Sequence, residues 1–159
     1  MGIVAEELYS LLIPLRSERL VLPRICVAEV IRYHMPSGDE QPSGWFRGMI
    51  RWNNRAIPVI SFEMLCGQAF SITSGRTRLV VVNPLDTAGC THYGVLAEGF
   101  PQMVKVNREV VVLDSTYQVP PNAPILCRIS MLKEQALIPD LEAIEQRITA
   151  ELGANRQPG

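Results

Sequence analysis

Apolar positions along the chain come in short runs cut by turn residues, a pattern of strands rather than of long helices. A first run covers residues 8–15 and gives way to the polar stretch 16–19, which reads as a turn. Runs at 20–22 and 25–33 follow, with Pro23 between them marking a strand edge or a bulge. Residues 36–44, rich in Pro, Ser and Gly, form a loop by composition. The clearest hairpin comes next, 46–52 and 55–62 around Asn53-Asn54. A two-residue hairpin turn needs φ > 0, which Asn tolerates better than any residue except Gly. Ser61 is placed to cap a short helix reaching residue 65 and stopped by Gly67. Further strands are expected at 78–82, 93–97, 102–106, 110–113, 125–131 and 136–138. Residues 110–113 are all apolar, which predicts a strand covered on both faces.

The last element has a different period. Leu141, Ile144, Ile148 and Leu152 recur at steps of three and four, one stripe of an α-helix. Asp140, Glu142 and Glu145 stand near its start, where carboxylates suit the helix dipole. Residues 153–159 read as a frayed tail. The pattern totals about ten strands and one substantial helix. Strands this short commonly lose their free edges by closing into small barrels.

With 159 residues, 47% of them apolar, the chain suits one domain spanning 1–159, or two small lobes sharing a core. Charged residues make up 19% and the net charge is −1, which gives no broad field to draw in nucleic acid or an anionic membrane. Charge is nonetheless unevenly placed, +2 over residues 1–80 and −3 over 81–159. Thirteen of the fifteen cations are Arg, the cation enriched at protein interfaces. Biased codon usage would give the same excess. Glu6 and Glu7 precede the first apolar run and no basic residue does, so no signal peptide is read there. No stretch reaches the roughly 18 apolar residues of a membrane span. The expected compartment is the cytoplasm, with Cys26, Cys66, Cys90 and Cys127 as reduced thiols.

Candidate chemistry is sparse. Cys90 and His92 stand two apart, on one face of a strand, but an activated thiolate also needs hydrogen-bond geometry and an orienting group. Read without them, the pair is a buried thiol and a surface imidazole. None of the Cys or His has the spacing of a zinc-ligand pair. The segment Ser74-Gly75-Arg76-Thr77 lacks the upstream Gly and the Lys of a phosphate loop. Single-stranded nucleic acid needs a basic groove with aromatic platforms, and aromatics are 6% here. A cysteine-dependent redox or catalytic protein and a nucleic-acid-binding small barrel stand as the alternatives to a protein that acts by binding partners.

The segment Leu20-Val21-Leu22-Pro23-Arg24-Ile25-Cys26-Val27-Ala28-Glu29-Val30-Ile31 resembles the opening of CheW-like chemosensory coupling proteins. Residues Gly48-Met49-Ile50-Arg51-Trp52-Asn53-Asn54-Arg55-Ala56-Ile57-Pro58-Val59-Ile60 resemble that family's signature hairpin, and Tyr93-Gly94-Val95-Leu96-Ala97 followed by Met103-Val104-Lys105-Val106 its second hairpin. Where the family usually carries Asn-Leu-Arg-Gly at the turn, this chain has Arg51-Trp52-Asn53-Asn54, so Asn53 stands in place of a functional Arg. Trp52 and Ser61-Phe62-Glu63 are similar to the accessory proteins of type IV pilus chemosensory systems, the ChpC or PilI kind.

The resemblance implies an all-β fold with a C-terminal helix, arranged as two five-stranded small β-barrel lobes. It implies a non-catalytic adaptor that couples the cytoplasmic tip of methyl-accepting chemoreceptors to a CheA-type histidine kinase, in chemotaxis or in twitching motility. No cofactor, metal or catalytic residue goes with it, nor nucleic acid or membrane insertion. The partner-binding residues it points to are Val27, Glu29 and Ile31 on one strand, and Gly48, Arg51, Trp52, Asn53, Asn54 and Arg55 around the hairpin turn. By strand alternation Val27 and Glu29 are expected on one face, with Ala28 and Val30 on the other.

Overall fold

A computed structural model describes residues 7–35, 44–70, 72–87, 89–131 and 133–155. The chain runs β1 (Leu8–Pro14), β2 (Arg19–Pro23), a 3-10 turn (Arg24–Cys26), β3 (Val27–Arg32), β4 (Phe46–Trp52), β5 (Arg55–Ile60), α1 (Phe62–Leu65) and β6 (Arg78–Val82). It continues through β7 (Tyr93–Ala97), β8 (Gln102–Val106), β9 (Val111–Leu113), β10 (Ile125–Met131), β11 (Glu134–Pro139) and α2 (Leu141–Asn155). The loop expected at 36–44 lies outside the described residues except for Gly44.

Among the described residues, eleven strands form two sheets, one of six in the order β8-β1-β2-β11-β10-β9 and one of five in the order β3-β6-β7-β5-β4. Two β lobes with a C-terminal helix is the architecture expected from the sequence. One lobe carries six strands rather than five, because the short β9 adds to β10 as an extra edge. The lobes interleave along the chain: β1 and β2 open the six-stranded lobe, β3–β7 build the other, and β8–β11 return to the first. Most neighbours are antiparallel, and each sheet has one parallel seam, β11 with β2 and β5 with β7.

Side-chain alternation sorts the apolar residues into three cores. Leu12, Val21, Ile129 and Ala136 fill the six-stranded lobe. Ile57, Val59, Leu79 and Val81 fill the five-stranded one. Between the lobes lies the largest cluster, in which Ile13, Leu20, Phe62, Val80 and Tyr93 meet Ile144 and Ile148 of α2. Gly94 sits where β7 passes Leu79 of β6, and a Cβ there would fall 2.5 Å from that side chain. Only glycine permits this approach.

α2 begins where the sequence indicates, with Asp140 Oδ1 accepting from the Ala143 N–H at 3.1 Å. Its stripe is deepest at the centre: Ile144 and Ile148 are fully buried, while Leu141 and Leu152 are half-buried at its ends. Glu145, a turn inside, accepts from the backbone N–H of Leu85 at 2.9 and 3.0 Å and of Asp86 at 3.3 Å, tying the β6–β7 loop to the helix. The helix continues to Asn155, so residues 153–155, expected in a frayed tail, are helical, and the rest of that expected tail lies outside the described residues. Ser61 caps α1 as expected, its Oγ accepting from Met64 N–H at 3.3 Å.

The strand at 110–113 corrects the expectation of burial on both faces. β9 pairs only with β10, and Val112 and Leu113 are 63% and 61% exposed. An all-apolar run fits a covered strand equally well as an edge strand, and three residues at a sheet edge have nothing to cover them.

Candidate functional site

The hairpin turn forms as the sequence predicts. Asn53 and Asn54 have φ of 50° and 62°, both in the left-handed region of a type I′ turn. Register across the hairpin pairs Trp52 with Arg55, Arg51 with Ala56 and Ile50 with Ile57. Paired residues share a face, so Trp52 and Arg55 stand on the inner side with Ile50 and Ile57, at the mouth of the five-stranded lobe. Arg51 stands on the outer face and is exposed. The two arginines flanking the turn therefore point to opposite sides of the sheet. Gly48 has φ of 100° within a register irregularity of β4 between Phe46 and Met49. That conformation favours glycine.

On β3 the expected common face of Val27 and Glu29 does not form. Val27 pairs with Val82 and Glu29 with the adjacent Val81, so a bulge inserts one extra residue between them. Val27 is 4% exposed in the interlobe core. Glu29 is exposed, and Ile31, half-buried, packs toward the interior of the five-stranded lobe. Of the three residues, Val27 holds the core together and Glu29 and Ile31 remain at the lobe's rim.

β3 and β4 are the two ends of the five-stranded sheet, yet their side chains meet. Trp52 Nε1 donates to Glu29 Oε2 at 2.8 Å, and its ring lies 5.2 Å from that of His92, centroid to centroid. The sheet has curled until its edges face each other, and the indole spans the seam. His92 Nε2 lies 3.0 Å from Asn83 Oδ1, while Asn83 Nδ2 donates to the Ile25 carbonyl at 3.1 Å. Because the Asn83 oxygen must accept, Nε2 carries the imidazole proton in the neutral ring. Glu29, Trp52, His92 and Asn83 thus form a continuous polar rim from β3 through β4 and β7 to the 3-10 turn. His92 was legible only as a candidate partner of Cys90, and Asn83 carried no signal of its own. The register gives it one, since Val82 pairs with Tyr93 and the next residues outward on each strand are Asn83 and His92.

The thiols of Cys26, Cys66 and Cys90 are held in their neutral form. Burial raises Cys26 and Cys90, with Glu145 adding to both, and pushes Cys66 up to about 11 against a partly offsetting Arg147. The Cys90 Sγ donates to the Thr91 carbonyl at 3.3 Å while His92 is engaged with Asn83. This is the opposite of an activated Cys–His pair, which needs a stabilised thiolate facing the imidazole. Among the described residues, no three His, Cys, Asp or Glu converge as a metal site, and no helix is long and apolar enough to cross a membrane.

Two β lobes are clasped by a terminal helix, with a rim of hydrogen-bonding side chains at the mouth of the five-stranded lobe. The CheW-like domain family matches residues 10–148, and the chain belongs to that family. Among solved structures, its fold is similar to the crystal structure of the scaffolding protein TtCheW from Thermoanaerobacter tengcongensis. The TM-score is 0.69 at 16% identity, over 89% of each chain. No curated protein matches the sequence.

Proposed function

We propose that this protein is a cytoplasmic, non-catalytic adaptor of bacterial chemosensory signalling, which couples the cytoplasmic tips of methyl-accepting chemoreceptors to a CheA-type histidine kinase. The observation that carries this reading is the Trp52–Glu29 contact. It joins into one rim the two segments, β3 and the β4–β5 turn, for which the resemblance implies partner contacts. Glu29, Trp52 and Arg55 there offer a carboxylate, an amphipathic indole and a planar cation, the chemistry that fixes register between protein partners. The match over residues 10–148 supports reading that stretch as one CheW-like domain. Trp52 and Ser61-Phe62-Glu63 favour an accessory role in a pilus-type system over the main chemotaxis branch. The test is co-sedimentation of the purified chain with receptor cytoplasmic fragments and kinase. Coupling predicts that the chain brings kinase into the receptor pellet. Kinase left in the supernatant, with chain and receptor both folded, overturns the reading.

A further inference from the structure

Glu63 is the second residue of α1, yet only 8% of it is exposed, and its Oε2 has no hydrogen-bond partner in the fold. Buried polar atoms are normally bonded, and an ionised oxygen without a donor is costly to desolvate. The residue stands on the seam between the lobes, lining one small cavity with Glu98 and another with Glu18. Across that seam the Glu98 N–H donates to the Pro14 carbonyl at 2.9 Å, joining the end of β7 to β1. The Arg16 backbone N–H, in the turn after β1, faces the Glu63 carboxyl and favours its charge. The Arg16 guanidinium acts in the same direction, but this residue is exposed and water screens it. Other charged groups around α1 are committed elsewhere: Arg47 to the Gly44 carbonyl and the Phe70 ring, Arg147 to the Leu65 carbonyl, Glu18 to Arg128. Burial raises the Cys66 thiol and the Tyr117 phenol, so neither brings charge at neutral pH. Burial above all, with the Glu98 carboxylate adding to it, therefore holds the Glu63 carboxyl above its ordinary range.

We propose that Glu63 is a proton-linked clasp of the interlobe seam: the closed seam holds its carboxyl neutral, and ionisation loosens the two lobes. Neutral, the group no longer repels the Glu98 carboxylate that lines the same cavity. Its O–H also becomes a donor, where the ionised oxygen could only accept. A carboxyl raised on folding contributes stability in full below its unhindered value of 4.5. That contribution is lost as pH rises through the higher folded value, because the unfolded chain releases the proton first. The clasp sets how firmly the lobes are held and does not depend on the adaptor reading.

The experiment takes the full chain from pH 4.5, the unhindered carboxyl value, up to neutral pH, as wild type and as Glu63→Gln. Thermal melts, the carbon NMR resonance of the Glu63 carboxyl and the exchange protection of the Glu98 amide are followed together. Gln keeps the shape and removes the charge. Over this range the wild-type melting temperature should fall by about 2–4 °C relative to that of Glu63→Gln. The Glu63 carboxyl should titrate above 4.5, and Glu98→Gln should bring that titration down by removing the opposing carboxylate. The Glu98 amide, bonded across the seam, should lose protection with rising pH in wild type but not in Glu63→Gln. If Glu63→Gln fails to fold, the wild-type titration and its response to Glu98→Gln decide the matter. A Glu63 carboxyl titrating at or below 4.5, parallel melting profiles in the two proteins, or Glu98 protection that ignores pH would each overturn the proposal.

Discussion

Trp52 and Glu29 lie on opposite edge strands of the five-stranded sheet, and the indole Nε1–H of one is bonded to the carboxylate of the other at 2.8 Å. The backbone pairs β3 and β4 each to one neighbour only, so this side-chain bond helps hold the lobe's mouth in shape. It also fixes where the Trp52 ring faces, against His92 on one side and next to Arg55 on the hairpin.

Breaking that bond while keeping a ring is the mildest test of its structural role. Trp52→Phe should lower unfolding stability by about 1 kcal/mol, the typical worth of one hydrogen bond at a partly exposed site. In a double-mutant cycle with Glu29→Ala, denaturant unfolding should show a coupling of about 0.5 kcal/mol or more. Additive effects would mean that the bond contributes nothing to holding the seam.

The C-terminal helix should behave as part of the core. Ile144 is 1% exposed and Ile148 fully buried against both lobes. Ile144→Ala should cost about 2–5 kcal/mol by leaving a cavity. The denaturation midpoint measures this directly, and an unchanged midpoint would make the helix a loose attachment.

Alkaline pH should weaken the fold through the buried thiols. The Cys66 thiol ionises near 9.0 when unhindered and at about 11 in the folded chain, chiefly because burial disfavours the thiolate. Below pH 9 the thiol is neutral in both states and its contribution is complete. As pH rises toward 11 the unfolded chain ionises first, and stability falls. Cys66→Ala should flatten part of this decline in a series of thermal melts, and an identical decline in wild type and variant would contradict the shift.

At the hairpin tip, Asn54→Gly should leave stability within a few tenths of a kcal/mol, since Gly adopts φ of 62° without strain. Asn53→Val should cost about 1–2 kcal/mol, because a β-branched side chain resists the left-handed region. The pair of melts also bears on partner choice, since Arg at position 53 would have to accept the same strained backbone. Equal stability of the two variants would show that the turn relaxes out of type I′.

Strand placement was legible because alternation and turn chemistry are local, and the resemblance at residues 20–31 and 48–60 located the lobes. What local pattern misses is pairing. The bulge between Val27 and Glu29 depends on how β3 meets β6, and it moved Val27 from an expected binding face into the core. The six-strand count depends on β9 adding to β10, and the same edge position left Val112 and Leu113 exposed where an all-apolar run suggested cover. At the rim, Glu29, Trp52 and Arg55 were named from sequence, but their meeting was not, because 23 residues separate Glu29 from Trp52 and only the curl of the sheet joins them. Asn83 was invisible for the same reason.

Calorimetric titration of the kinase's regulatory fragment into Glu29→Arg tests most directly whether partners bind at the rim of Glu29, Trp52 and Arg55. The substitution reverses the charge on β3 and removes the acceptor of the Trp52 indole. It should weaken the kinase affinity at least about tenfold, roughly 1.4 kcal/mol, with the far-UV circular dichroism spectrum unchanged. Affinity equal to that of the wild-type chain would contradict the assignment and place the partner surface elsewhere on the fold.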